Sequence, residues 1–268
     1  MKNILNTAGF LSLVMVFSCM TYAAHHADPL LDAVNNPARN SAYSARDASR
    51  HPYETLSFFQ INPSMHVLEL SAGGGWYTEI LAPYLKDSGK LSVTHHNPET
   101  GGYYERSRNS YDEKVKSNPL FKGVKVITAD VPPSMPFTKP ATQDLVVTFR
   151  NLHNWLGQDA MKAIMQEAYN SLKEGGHFGV VEHRAPEGSD LEFMKKSGYV
   201  TQSLAIQTAH EVGFKLVASS EINANPKDTA DHPRGVWTLP PSFRLKDQDR
   251  EKYAAIGESD RMTLLFKK

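Results

Sequence analysis

The sequence predicts an α/β protein built on a doubly wound, mostly parallel seven-stranded sheet with helices on both faces. Three observations lead there. A short apolar run at 67–70 meets three consecutive glycines, Gly73 to Gly75, and an amphipathic run opens at Trp76. Short apolar runs and helical-period runs then alternate along the chain, as βαβ units require. The run at 144–149 (DLVVTF) is nearly all apolar, as a strand buried on both faces should be.

Each element follows from local pattern. Residues 25–60 form an N-terminal extension whose polar part is broken by Pro29, Pro37 and Pro52, which suits short helical pieces. Leu56 and Phe59 stand at helical spacing in 53–60, and Asn62-Pro63 marks the turn into the α/β domain at 61–268. Strands are predicted at 67–70, 90–94, 124–129, 144–149, 177–182, 215–221 and 261–266. Helices are predicted at 76–85, 103–117, 159–172 and 199–212, with Pro83 expected to kink or break the first. Met161, Ile164, Met165, Ala168, Tyr169 and Leu172 fall on one stripe, the mark of a core-facing helix. Residues 223–258 have no period and read as an irregular insertion. Its proline-rich part, with Trp237, either folds over the carboxyl edge as a lid or lies as a surface loop.

The N-terminus reads as a secretory signal peptide at 1–24. Lys2 precedes an uncharged apolar run at 8–20, then Thr21-Tyr22-Ala23-Ala24 offers a small-residue exit. That run is too short to be retained comfortably as a membrane span. The expected location is the periplasm, with no stable membrane span after cleavage. Cys19, the only cysteine, lies inside this segment, and Val16 to Cys19 gives the alternative of a lipoprotein anchor. Cleavage after Ala23 or Ala24 leaves no thiol for a disulfide, a nucleophile or a metal. Lys+Arg and Asp+Glu both count 29, so there is no basic excess and no nucleic-acid partner is expected.

A glycine turn between strand and helix sets a ligand against backbone N–H groups at a helix N-terminus, which implies a nucleotide-type cofactor. A dinucleotide fingerprint starting at Gly73 would need glycine where Thr78 stands, so that cofactor class is rejected. Glu69 followed by Ser71, Gly73 and Gly75 instead resembles motif I of the class I S-adenosylmethionine-dependent methyltransferases, with Ser71 in place of the first glycine. Asp130 ends the third strand, where that family has an acidic residue near the adenine. The segment 144–154 (DLVVTFRNLHN) looks like motif IV, and its Phe149-Arg150-Asn151 is similar to the quinone-biosynthesis methyltransferases. Segment 171–183 (SLKEGGHFGVVEH) looks like the family's LKPGG-strand, and Glu211-Val212-Gly213-Phe214 like its helix ending in AGF. The tail NPKDT…HP…GVWTLPP resembles a group of exported methyltransferase-like proteins.

The resemblance spans about 53–222. It implies a Rossmann-like methyltransferase fold, S-adenosylmethionine as cofactor, and methyl transfer to a small acceptor such as an aromatic or lipophilic compound. It places Glu69, Ser71, Gly73, Gly75, His95, Asp130 and Asn151 at the cofactor. His95 is the departure: the second strand should end in an acid that grips the ribose hydroxyls, and a histidine offers only single hydrogen bonds. This departure and the export signal favour an alternative, a non-catalytic small-molecule binding protein on the same fold.

Strand ends at the carboxyl edge collect chemistry in open α/β sheets. His95, His153 and His183 are expected there, with Asn151 and Glu182 beside them. His153 is the candidate general base, although a histidine after a strand also serves as a structural hydrogen-bonder. Trp155 is the candidate aromatic wall. The three histidines with a carboxylate would suit zinc, but no tight spacing such as H-x-x-x-H supports it and no metal is assigned. Arg46, Asp47 and Arg50 either reach the same cleft or form surface ion pairs.

Overall fold

A computed structural model describes residues 28–268. The expected signal peptide, Cys19 and His25-His26 lie outside the described residues. Four short helices come first: α1 (Pro29–Val34), α2 (Ser41–Ser44), α3 (Asp47–Arg50) and α4 (Pro52–Phe58). Asp28 starts α1 by accepting the N–H groups of Leu30 and Leu31 at 3.0 and 3.2 Å. The alternating part runs β1 (His66–Leu70), α5 (Thr78–Leu85), β2 (Lys90–His96), α6 (Gly102–Ser117), β3 (Lys125–Ala129), β4 (Gln143–Phe149), α7 (Leu152–Gly157) and α8 (Met161–Ser171). It continues through β5 (Leu172–Ala185), α9 (Leu191–Ser197), β6 (Val200–Thr201), α10 (Gln202–Glu211), β7 (Lys215–Ser220), α11 (Arg250–Ile256) and β8 (Arg261–Lys267).

The sheet order is β3-β2-β1-β4-β5-β8-β7, with the two-residue β6 paired to β5. Strands β1 to β5 pair in parallel, and β8 runs antiparallel to both β5 and β7. The seven strands on this path are those expected from sequence. The order reverses between β1 and β4, and a crevice opens outside the carboxyl ends of the strands at such a switch point. The glycine turn after β1 and Phe149 to Asn151 after β4 therefore face each other across it.

Two apolar layers flank the sheet. Leu68, Leu70, Val146, Phe178 and Val180 pack against α7, α8 and α10, where Met161, Ile164, Met165 and Ala168 of the expected stripe are buried. Val67, Val93, Leu145 and Val147 pack on the other face against α1, α4 and α5. Gly179 of β5 shows how the extension docks there: an added Cβ would stand 2.6 Å from the ring of Phe59.

Local expectations needed correction where tertiary contacts intervene. Pro83 lies inside α5 and does not end it, since Ile80, Leu81, Ala82 and Leu85 around it are all buried. The helix expected from 199 starts at Gln202, because Val200–Thr201 pairs with β5 and the Thr201 hydroxyl caps Leu204 N–H at 3.3 Å. Helices α7 and α9 appear where none was expected, and the insertion at 223–258 contains α11. Among the described residues no helix is long and apolar enough to cross a membrane.

Candidate active site

The glycine turn is a constrained loop. Ser71 sits at φ +52°, a left-handed conformation that glycine adopts freely and serine does not. Its N–H donates to Thr94 Oγ1 at 2.8 Å, and its hydroxyl accepts Trp155 Nε1–H at 3.3 Å. Gly73 has φ +58°, and a Cβ added there would meet nothing closer than Ser71 O at 3.9 Å, so the space over it is open to a ligand. Gly75, at φ +82°, is different: its Cβ would lie 2.8 Å from Phe121 Cζ and 3.2 Å from Tyr111. Gly73 thus leaves room for a cofactor, whereas Gly75 makes room for the core. Tyr43 Oη and Lys114 Nζ both donate to Gly74 O, at 2.9 and 2.7 Å, and clamp the turn from outside.

Besides Gly75, two further residues assigned to the cofactor do something else. Glu69 is buried, and burial pushes its carboxyl up to about 8, so it is mostly protonated at neutral pH. It accepts Thr78 Oγ1–H at 2.6 Å and ties β1 to the first turn of α5. His95 Nδ1 accepts the His96 N–H at 2.9 Å, and Nε2 lies 3.0 Å from Gly73 O, to which it donates. Burial lowers its pKa to about 4 and keeps it neutral. Both ring nitrogens are engaged with backbone, so His95 props the glycine turn and has none left for a ribose hydroxyl.

The other assigned residues stay at the edge. Asp130 accepts hydrogen bonds from Ser134 Oγ and, at 2.8 Å, from Asn97 Nδ2, and these hold its carboxyl below the usual range. Asn97 stands just past β2, where an amide carries no motif signal. Asn151 donates from Nδ2 to Leu70 O and Ser71 O, both at 3.2 Å, and lines the cavity while bracing the turn.

A cavity of about 240 Å³ opens beside the turn. Ser71 to Gly74 form one side, Arg150, Asn151, His153 and His183 another, and Trp237, Pro240, Pro241 and Ser242 the roof. Of the two arrangements expected for the proline-rich part of the insertion, cover over the carboxyl edge or surface loop, its lining of this cavity matches the first. Trp76 and Trp237 supply aromatic walls. Trp155, the sequence candidate for that part, is buried beneath with its indole on Ser71.

His153 is almost fully buried, with Nδ1 2.9 Å from Glu182 Oε1. Glu182 is wholly buried and also accepts the N–H groups of Leu152, His153 and His183. With Nδ1–H given to Glu182, Nε2 of His153 is left as the proton acceptor. His183 Nδ1 lies 2.5 Å from Ser259 Oγ, and burial, reinforced by His153 and nearby arginines, holds that imidazole neutral. Ligand atoms of His153, Glu182 and His183 lie within 4.8 Å of one another, close enough to hold a metal. Since both Glu182 oxygens are already taken by N–H donors, the group is better suited to orienting His153. His95 stands apart from it.

Comparison with known proteins agrees with this geometry. Residues 68–180 match the family model described as a methyltransferase domain. No curated protein matches the chain. Among solved structures, a SAM-dependent methyltransferase from Aquifex aeolicus is similar at 18% identity and TM-score 0.53, covering 74% of this chain and 94% of its own. The [4+2]-cyclase SpnF is similar at 17% identity and TM-score 0.57, covering 90% and 91%. An arsenic(III) S-adenosylmethionine methyltransferase from Chlamydomonas reinhardtii is similar at 13% identity and TM-score 0.52, covering 89% and 72%. At these identities the likeness establishes the fold, which is the Rossmann-like methyltransferase fold. The family match is confined to residues 68–180, where the chain is similar to a methyltransferase domain, a type that uses S-adenosylmethionine as its cofactor. The cyclase among the neighbours shows that the fold alone does not set the reaction.

Proposed function

We propose that this protein transfers a methyl group from S-adenosylmethionine to a small acceptor under the lid, with His153 as general base. One observation carries the reading. The same cavity is bounded by the glycine turn and by a histidine whose Nδ1 is held by a buried carboxylate. The open space over Gly73 suits the cofactor, which Ser71, Gly73 and Asp130 would hold while Asn151 and His95 keep the turn in shape. When bound, it supplies an electrophilic sulfonium methyl. Transfer of that methyl to the acceptor's lone pair would leave the S–C bonding pair on sulfur. The acceptor's proton passes to His153 Nε2, and Glu182 stabilises the resulting imidazolium. The walls of Trp76, Phe149 and Trp237 favour an aromatic or lipophilic acceptor.

Calorimetric titration of the full chain with S-adenosylmethionine and S-adenosylhomocysteine tests this. Binding of both supports transfer. No heat at millimolar ligand overturns it in favour of a small-molecule binding protein, the reading that the missing ribose carboxylate at His95 favours. Export to the periplasm through a leader at 1–24 belongs to the proposal. It is supported by the charged start, the apolar 8–20 run and the alanine exit, and N-terminal sequencing of the secreted protein tests it.

A further inference from the structure

We infer that the acceptor is an oxyanion, a small organic carboxylate or phosphate monoester, whose charged end is held beneath the lid by Arg150, with Arg46, Arg50 and Arg261 gathered on Glu258 beside it. The inference rests on the methyl-transfer reading for the identity of its ligand as acceptor.

Four guanidinium groups gather round a single carboxylate here. Glu258, in the cavity wall, pairs with Arg46 Nε at 2.6 Å, Arg50 Nε at 3.2 Å and Arg261 Nη1 at 3.4 Å. Arg150, also in the wall, joins them within electrostatic reach. One carboxylate cannot balance four arginines. Other carboxylates nearby in the chain or at the same edge are engaged elsewhere: Asp47 pairs with Arg39, Asp260 with Arg184, and Glu182 with His153 and three backbone N–H groups. Burial and mutual repulsion accordingly hold the guanidinium of Arg50 down to about 9 and that of Arg150 to about 10.

The donors are also unspent. Arg50 is 1% exposed, yet its Nη1 and Nη2 have no partner among the described residues, and neither has the buried Nη2 of Arg46. Arg150 makes no side-chain hydrogen bond or ion pair to any described residue, although every other cation of the cluster does. A buried guanidinium with free N–H groups is costly unless a ligand satisfies it. Planar forks of this kind match carboxylate or phosphate oxygens two at a time.

The surroundings narrow the ligand further. Trp76, under the Arg50 guanidinium at 4.7 Å, and Phe149 and Trp237 give the cavity apolar walls, so the anion carries an organic body. The excess positive charge also opposes a metal ion at His153 and His183. The cofactor's own amino-acid carboxylate has the same chemistry as the proposed ligand, and the test separates the two.

The full chain is titrated calorimetrically with benzoate, phenyl phosphate, benzyl alcohol and S-adenosylhomocysteine, for the wild type, Arg150→Gln and Arg150→Lys. The expected result is that benzoate or phenyl phosphate binds at least tenfold more tightly than benzyl alcohol. That preference shrinks as salt rises from 0.05 to 0.5 M. Arg150→Gln removes it, Arg150→Lys retains part of it, and S-adenosylhomocysteine binds all three proteins within about threefold. Equal binding of charged and neutral probes by the folded wild type overturns the proposal without recourse to any variant. Arg150→Gln that loses S-adenosylhomocysteine and keeps benzoate also overturns it, assigning the cluster to the cofactor carboxylate. Oxyanion binding with no S-adenosylhomocysteine binding overturns the methyl-transfer reading itself, and the word acceptor with it. Thermal melts of each variant confirm that it is folded.

Discussion

Glu182 Oε1 lies 2.9 Å from His153 Nδ1 and 2.7 Å from His183 N, so one buried carboxylate fixes both the ring and the backbone of the candidate catalytic edge. A neutral amide has a single acceptor oxygen and would turn its NH₂ toward these N–H groups. Glu182→Gln should therefore cost roughly 2–3 kcal/mol, the scale of buried donors left unpaired, measured by urea unfolding. Long-range ¹H–¹⁵N NMR should show His153 protonated at Nδ1 in the wild type, with that tautomer's population falling in the variant. An unchanged tautomer would remove Glu182 from the catalytic arrangement.

Ser71 combines backbone strain with a hydrogen bond to a buried indole, and substitution can separate the two. Ser71→Gly relieves the left-handed conformation but frees Trp155 Nε1; Ser71→Ala frees the indole and keeps the strain. The glycine variant should be more stable than the alanine variant by about 1 kcal/mol. Ser71→Val, with a branched Cβ, should be worse than either. The order is read from thermal or urea unfolding.

The buried carboxyl of Glu69 gives the fold a pH dependence with a definite sign. Its pKa in the folded chain, about 8, is above the value of 4.5 for the free group. Its contribution is thus full below pH 4.5 and is lost as pH rises from there to 8. Glu69→Gln has no proton to lose. Its stability relative to wild type should improve steadily across that window in melts taken at successive pH values.

His95 reverses the expectation drawn from the family pattern, under which an acid at this position would strengthen cofactor binding. An aspartate would set a second acceptor against Gly73 O, where His95 Nε2 now donates at 3.0 Å. His95→Asp should lose about 2 kcal/mol of stability and bind S-adenosylhomocysteine more weakly, whereas His95→Gln, which keeps a donor, should recover part of both. The histidine pKa is depressed to about 4 from 6.5, so its contribution is complete above pH 6.5 and is lost as pH falls toward 4. Both substitutions should remove that acid-side loss. Tighter ligand binding by His95→Asp would restore the ribose role.

The parallel sheet was legible because its strands are continuous apolar runs, and an apolar period such as the Met161–Leu172 stripe reports burial directly. The His153 position was legible for a related reason: its motif fixes it just after β4, at the switch point. The tasks of His95 and Glu69 were not, because each depends on whether a side chain turns toward the ligand or back toward the backbone. Trp155 gives up the expected aromatic wall to Trp76 and Trp237 for the same reason. The arginine cluster was the least visible. Arg46 and Arg50 meet Glu258 across more than 200 residues of chain, and no local pattern encodes such an encounter.

That long-range meeting bears on when the site comes into being. Arg46 and Arg50 bracket the short helix α3 near the start of the domain, while Glu258 and Arg261 stand at the entrance to the last strand, and Arg261 Nη2 reaches back to Ser49 O at 2.5 Å. A chain stopped short of Glu258 could fold β1 to β5 and still have no enclosed cavity. Contacts that close such large loops form late in folding. Competence should therefore arrive in one step with the final strand, and premature termination or clipping near residue 250 should silence the protein while leaving most of its sheet intact.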